Sequence, residues 1–412
     1  MTYQKTPTKQ FMVFNFLALC KKADNYYYQT VAFFSIIFFL LNFSSAFAVI
    51  LPDDPFYIYP IAAKYDSLLQ TRIKEYNIPG AACVLVSQDA LVYKKCFGVR
   101  DLHYNEPVTE HTLFRLASLS KGFTAILTGL LVEKQLLDWD EPISDFLPGF
   151  KLVTNSQYSE PTLRHILSHT SGLPSYAGTE LLEENMSYTE LLGSLCKVPP
   201  VAPPGQQYNY QNVVFSIMGD ILAAVTDTSY KALVNSLLFA PLGLKDATIG
   251  YRDFINRPDH ASPHIEINSV QIPVEVKTSY YHIAPAAGIN ASINDMAVWI
   301  KVILGYRPEI ISRSVLQQVT QIQIPTEKAT RYFGKWPLLG DTSYALGWRI
   351  FDYNGVRLVY HGGSVQGFRT EIAVDPVNHL GIAFLFNCET PFADICVPEF
   401  FDLYMSLISV NQ

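Results

Sequence analysis

Phe114-Arg-Leu-Ala-Ser118-Leu-Ser-Lys121-Gly-Phe-Thr-Ala-Ile-Leu-Thr-Gly-Leu-Leu131 decides how the rest of the chain is read. From Phe123 the apolar residues fall at Phe123, Ile126, Leu127, Leu130 and Leu131, the stripe of a helix with one face in a core. Ser118 and Lys121 then lie on its first turn. Three-residue spacing puts both side chains on one face, roughly 5–6 Å apart at Cβ, so an amine can touch a hydroxyl. A serine is a poor nucleophile until a base takes its proton, and a desolvated lysine at the positive end of a helix can have its pKa lowered enough to serve. Helix amides at the same end favour the oxyanion that forms after attack.

The Ser-x-x-Lys pattern is short and arises by chance about once or twice in a chain this long. Ser194-Leu-Cys-Lys197 is a second copy. Val198-Pro-Pro200 follows it, so no buried helix can start there, and this copy is expected at the frayed end of a surface helix.

The 412 residues are 49% hydrophobic and 16% charged, enough for a large core and for two or three folding units. A net charge of −7 without any basic block excludes a nucleic-acid binder. Lys21-Lys22, the apolar run Val31-Ala-Phe-Phe-Ser-Ile-Ile-Phe-Phe-Leu-Leu-Asn-Phe43 and the small residues of Ala46-Phe-Ala48 read as a targeting segment. Residues 1–48 are expected to be a cleaved signal peptide, which sends the protein to the periplasm or outside the cell. The alternative is an uncleaved membrane anchor through 31–51.

Six cysteines, without Cys-x-x-Cys spacing, are too few for a disulfide scaffold. Cys83 and Cys96 lie on two β-like runs, Ala82–Val86 and Leu91–Phe97. A turn at Asp89-Ala90 would set them opposite each other for a disulfide, and a turn shifted by one residue would separate them.

Further along, a first helix is expected from Ala62 to Tyr76, and helices at 142–148, 163–167, 188–195 and 215–225 among loops rich in Pro, Gly, Ser and Thr. Ser292-Ile-Asn-Asp295 caps a helix through Ile303, β-like runs follow at 345–350, 357–361, 370–374 and 381–386, and a last helix covers about 397–408. Strands at both ends with helices between predict an α+β fold: one antiparallel sheet formed by both chain ends, flanked by helices, with an inserted, mostly helical lobe. The boundaries expected are 55–116 and 283–412 for the sheet domain and 117–282 for the lobe.

Two further motifs bear chemistry. Pro203-Pro-Gly-Gln-Gln-Tyr-Asn-Tyr210-Gln-Asn212 presents a tyrosine on a rigid loop, where a neighbouring positive charge is expected to lower its pKa from about 10 toward the working range. The Asn212 amide can hold the lysine or a substrate carbonyl. Arg357-Leu-Val-Tyr-His361-Gly-Gly363-Ser364 places a histidine and two glycines at a strand end, where backbone can approach closely and the next amide can point into a cleft. His165 and His169 are four apart, but Thr170-Ser-Gly172 breaks the helix and no carboxylate is in register, so no metal is expected.

Taken together, Ser-x-x-Lys, Tyr-x-Asn and His-x-Gly in this order resemble the serine hydrolases of the class C β-lactamase, D,D-peptidase and esterase family. Leu167-Ser-His-Thr-Ser-Gly-Leu-Pro174 and Pro285-Ala-Ala-Gly288 resemble recurrent family segments, and the resemblance covers roughly Ile61 to the C-terminus. It implies a β-lactamase/transpeptidase-like fold and no cofactor. It also implies Ser118 as nucleophile, Lys121 with Tyr210 as the proton-handling pair, and the amides of Ser118 and Ser364 as the oxyanion hole. Asn212, His361 and Gly363 would position substrate and lysine. The substrate would be a small molecule or peptide, attacked at an ester, D-amino-acid peptide or β-lactam carbonyl through an acyl-enzyme. Where this chain has His361, many β-lactamases of the class have lysine, and histidine is only partly charged at pH 7, which favours peptidase or carboxylesterase roles. The alternative is a catalytically silent protein of the same fold that binds cell-wall peptides or a partner protein. The oligomeric state stays open.

Overall fold

Residues 80–86, Gly-Ala-Ala-Cys-Val-Leu-Val, contain no charged or hydrogen-bonding side chain but a thiol, so a strand formed there must be covered on both faces. A computed structural model of the chain describes residues 58–153, 158–327 and 333–409. The targeting segment expected at 1–48, its anchor alternative at 31–51 and Cys20 lie outside the described residues.

In chain order the elements that build the site are α1 (Ile58–Glu75), β1 (Gly80–Ser87), β2 (Ala90–Asp101), β3 (Glu106–Pro107), α2 (Ser120–Glu133), α3 (Asn212–Thr226) and α4 (Ile293–Ile303). After these come β4 (Ile324–Pro325), β5 (Leu339–Tyr344), β6 (Arg349–Tyr353), β7 (Val356–Val365), β8 (Phe368–Asp375), β9 (Leu380–Phe386) and α5 (Cys396–Ser409). The nine strands form one antiparallel sheet in the order β3-β2-β1-β9-β8-β7-β6-β5-β4. Its middle joins the two ends of the chain, with Ala81 opposite Phe386 and Val86 opposite Gly381.

Every residue of β1 is buried. Ala82, Val84 and Val86 enter a core shared with α2, α3 and α4, while Ala81, Cys83 and Leu85 enter a second, aromatic-rich core under α1 and α5. This is the α+β arrangement expected from the sequence, and the sheet and the helical stretch share the first core.

Four details differ from the sequence reading. The turn between β1 and β2 is Gln88-Asp89, with a register shift at Leu85/Val86, so Cys83 pairs with Lys95 and Cys96 with Ala82. The two cysteines thus face opposite cores, and both are free. The run Ala345–Ile350 is not one strand: Ala345-Leu-Gly-Trp348 is the turn between β5 and β6, with Gly347 at φ +72°. The His361-Gly-Gly motif lies inside β7 rather than at a strand end. Finally, α2 is not one-sided, because Ser120 through Leu131 are all buried.

Candidate active site

The segment ahead of α2 presents Ser118. Ala117 sits at φ +48°, a left-handed conformation that a β-carbon disfavours, and Ala117–Leu119 forms a single 3-10 turn before the helix begins at Ser120. This turn rests on β7. A β-carbon at Gly363 would stand 2.5 Å from the Leu116 carbonyl oxygen and 2.4 Å from Thr370 Oγ1, so only glycine lets the strand come this close. Thr370 Oγ1 donates to the same carbonyl at 2.9 Å and fixes the turn on the sheet.

Lys121 is among the largest fully buried side chains, at 0% exposure. Its Nζ has three partners: Asn212 Oδ1 at 2.8 Å, the Ala286 carbonyl at 3.1 Å and Ser118 Oγ at 3.1 Å. The first two can only accept. A neutral amine has two N–H groups for them and one lone pair left, which then faces the Ser118 hydroxyl. Burial first, and Arg349 second, hold Lys121 well below the ordinary lysine value of 10.5. The amine can therefore take the Ser118 proton.

Tyr210 donates from Oη to Ser118 Oγ at 2.8 Å, and the Lys121 Nζ stands 4.8 Å from its ring centroid. The expected fall in its pKa is not found. Burial pushes the phenol above its ordinary value and outweighs the Ser118 hydrogen bond and the charge of Arg349, which pull it down. At rest Tyr210 is a neutral donor. Asn212 opens α3, three residues ahead of the helix expected at Phe215, and the helix holds its amide against the lysine.

The cleft over Ser118 has a volume of about 410 Å³ and is lined by Tyr210, Asn212, Gly362, Gly363, Ser364 and Arg349, with His361, Tyr176 and Tyr280 among the remaining walls. All seven site residues named from sequence thus meet: Lys121 lies directly beneath Ser118, and the other six line the cleft. His361 is buried, with Nδ1 2.8 Å from the Gly362 carbonyl and Nε2 3.1 Å from Tyr344 Oη. Burial, then Arg349 and Lys121, hold it well below 6.5, so it is uncharged at neutral pH.

Arg349 escaped the sequence reading. It begins β6, its guanidinium carbon lies 5.5 Å from the Tyr210 ring centroid, and among the described residues it forms no ion pair with a carboxylate. Its signal, Gly347-Trp-Arg349, was hidden in the run taken as one strand. The Ala286 carbonyl, a backbone acceptor, also went unread, and His169, read only for its spacing to His165, lies against the Tyr210 loop. The metal-like spacing of His165 and His169 is spent otherwise, since the helix ends at Leu167 and His165 Nδ1 caps it at the Thr162 amide, 3.1 Å away.

A serine, a buried amine and a phenol that converge at the floor of a cleft on this α+β scaffold define the class, the active-site serine hydrolases. Residues 65–398 match the Beta-lactamase family, and the chain belongs to it. Similar proteins include an unguisins hydrolase of Aspergillus violaceofuscus, 25% identical over 80% of this chain and 61% of that one. Protein flp of Staphylococcus aureus is 24% identical over 79% of this chain and 63% of its own length. The chain thus spans about three fifths of the curated relatives it matches. Among solved structures, an octameric penicillin-binding protein homologue from Pyrococcus abyssi shares the fold, with a TM-score of 0.73 and 24% identity over 82% of this chain and 77% of that one.

Proposed function

We propose that the protein hydrolyses esters or amides through an acyl-enzyme on Ser118. The observation that carries this reading is the convergence of Lys121 Nζ at 3.1 Å and Tyr210 Oη at 2.8 Å on one serine oxygen at the floor of an open cleft. Ser118 Oγ attacks the substrate carbonyl while its proton passes to Lys121. The oxyanion rests on the amides of Ser118 and Ser364. Lys121 returns the proton through Tyr210 to the leaving group as the C–N or C–O bond breaks, and water then cleaves the acyl-serine by the reverse relay.

Arg349 narrows the substrate. With His361 uncharged, Arg349 is the fixed cation among the described residues of the cleft wall, which favours acyl donors bearing a carboxylate, D-amino-acid peptides and β-lactams, over neutral esters. A relative named as a hydrolase fits this reading. The apolar run Val31–Phe43 and Ala46-Phe-Ala48 support export, with 31–51 as the anchor if the segment is retained; N-terminal sequencing of the mature protein distinguishes the two.

The test is a panel of a fluorescent penicillin, a D-Ala-D-Ala peptide and a neutral ester, read by intact mass. The expected result is a covalent adduct that maps to Ser118 and disappears in Ser118→Ala. Absence of an adduct and of turnover with all three classes overturns the reading and leaves a binding protein on this fold.

A further inference from the structure

Behind Tyr210 runs a line of hydrogen bonds whose direction is fixed at both ends by backbone. The Gln211 amide can only donate, and it lies 3.2 Å from His169 Nδ1. That nitrogen is the acceptor, so Nε2 of His169 bears the proton. At the other end the Gly362 carbonyl can only accept, 2.8 Å from His361 Nδ1, so that nitrogen bears the proton and Nε2 accepts. Tyr344 Oη stands between, 3.2 Å from His169 Nε2 and 3.1 Å from His361 Nε2. Its hydroxyl must accept from His169 and donate to His361. With both imidazoles neutral no other arrangement satisfies all four bonds, and His169, Tyr344 and His361 are 0–1% exposed, so water cannot substitute.

His169 also grips the loop that bears Tyr210 from both sides. Its carbonyl accepts from the Asn209 amide at 2.8 Å, its Nδ1 from the Gln211 amide, and its ring centroid is 4.3 Å from that of Tyr210. The residue is held at φ +59°, which a side chain disfavours and which the surrounding bonds must enforce.

We propose that His169 and Tyr344 are positioning residues that tie the Tyr210 loop to the β7 strand and hold His361 with its single proton on Nδ1. Its Nε2 then accepts from Tyr344 and is closed to substrate, so the histidine of the third motif supplies neither a cation nor a proton to the reaction. That task falls to Arg349 and Tyr210. The groups facing His361 are Arg349 from β6, Lys121 from α2, Tyr344 from β5, Tyr210 from the loop before α3 and His169; Tyr208 adds to those facing His169. Burial above all, with Arg349 nearby, holds both imidazoles well below their ordinary range.

The spectroscopic test does not depend on activity; the kinetic one rests on Ser118 as nucleophile. In the full chain with isotope-labelled histidine, nitrogen NMR is expected to show two imidazoles that do not titrate between about pH 5 and 8. One, lost in His169→Gln, has its proton on Nε2; the other, lost in His361→Gln, has it on Nδ1. Titration of either, or the opposite tautomer, overturns the proposal. In Tyr344→Phe the acylation rate constant for a fluorescent penicillin falls about tenfold and the apparent affinity changes less than about twofold. The His169 Nε2 proton also exchanges faster with solvent. Unchanged acylation and exchange overturn the positioning role, and if Tyr344→Phe does not fold, the wild-type spectra decide alone. A chain that penicillin does not acylate at all fails the proposed function and leaves the spectroscopic result standing.

Discussion

Ser118-Leu-Ser-Lys121 and Ser194-Leu-Cys-Lys197 share their spacing, but the first opens a helix and the second closes one, and they end in different chemistry. Lys121 is fully buried and meets two obligatory acceptors before it reaches the serine. Lys197 is exposed beyond the end of its helix, and the Ser194 hydroxyl turns back to donate to the Leu191 carbonyl at 2.7 Å. Spacing sets only the reach of a side chain. Desolvation and the partners that fill the amine's two N–H groups make Lys121 a base, and Lys197, out in solvent, has neither.

The comparison can be broken in several ways. Lys121→Met is expected to slow adduct formation on the order of 10³–10⁴-fold. Intact-mass time courses check this, and an equal loss in Lys197→Met would dissolve the distinction. Tyr210→Phe removes the donor at 2.8 Å from Ser118 and should cost about 10²–10³-fold in the same assay. A third test uses stability. Below 10.5 the native state, with its depressed Lys121, binds fewer protons than the unfolded chain, so that group's contribution to stability rises with pH. Wild type measured against Lys121→Met by denaturant titration should therefore gain up to about 1.4 kcal/mol per pH unit from the depressed value up to about 10.5. The smallest effect is Ser194→Ala, whose stability should stay within about 0.5 kcal/mol of wild type and whose acylation should not change.

Much of this was legible in the sequence. The sheet from both chain ends could be read because β1 and β9 are apolar runs bounded by turns, and the three motifs because each places a chemically costly residue in a constrained local setting. What could not be read depends on tertiary approach. The turn Ala345–Trp348 looks like strand until the chain is folded, because its residues are apolar and Gly347 takes a left-handed φ only where it meets the Lys121 carbonyl, 2.6 Å from where its β-carbon would be. Arg349 was lost with it. The Cys83–Cys96 pairing failed because the turn is Gln88-Asp89 and not Asp89-Ala90. The direction of the Tyr210 shift was misjudged because charge was weighed and burial was not, and burial is the larger effect. His169 was read for its spacing to His165, whereas its role comes from a backbone angle no side-chain pattern reveals.

The pairing of β1 with β9 has a consequence for how the molecule is made. Between β1 and its central partner β9 the ribosome makes the helical stretch and most of the sheet, so β1 waits with one edge open until they are synthesised. A chain cut short before residue 380 would keep every group of the cleft and still lack the strand that joins its two halves.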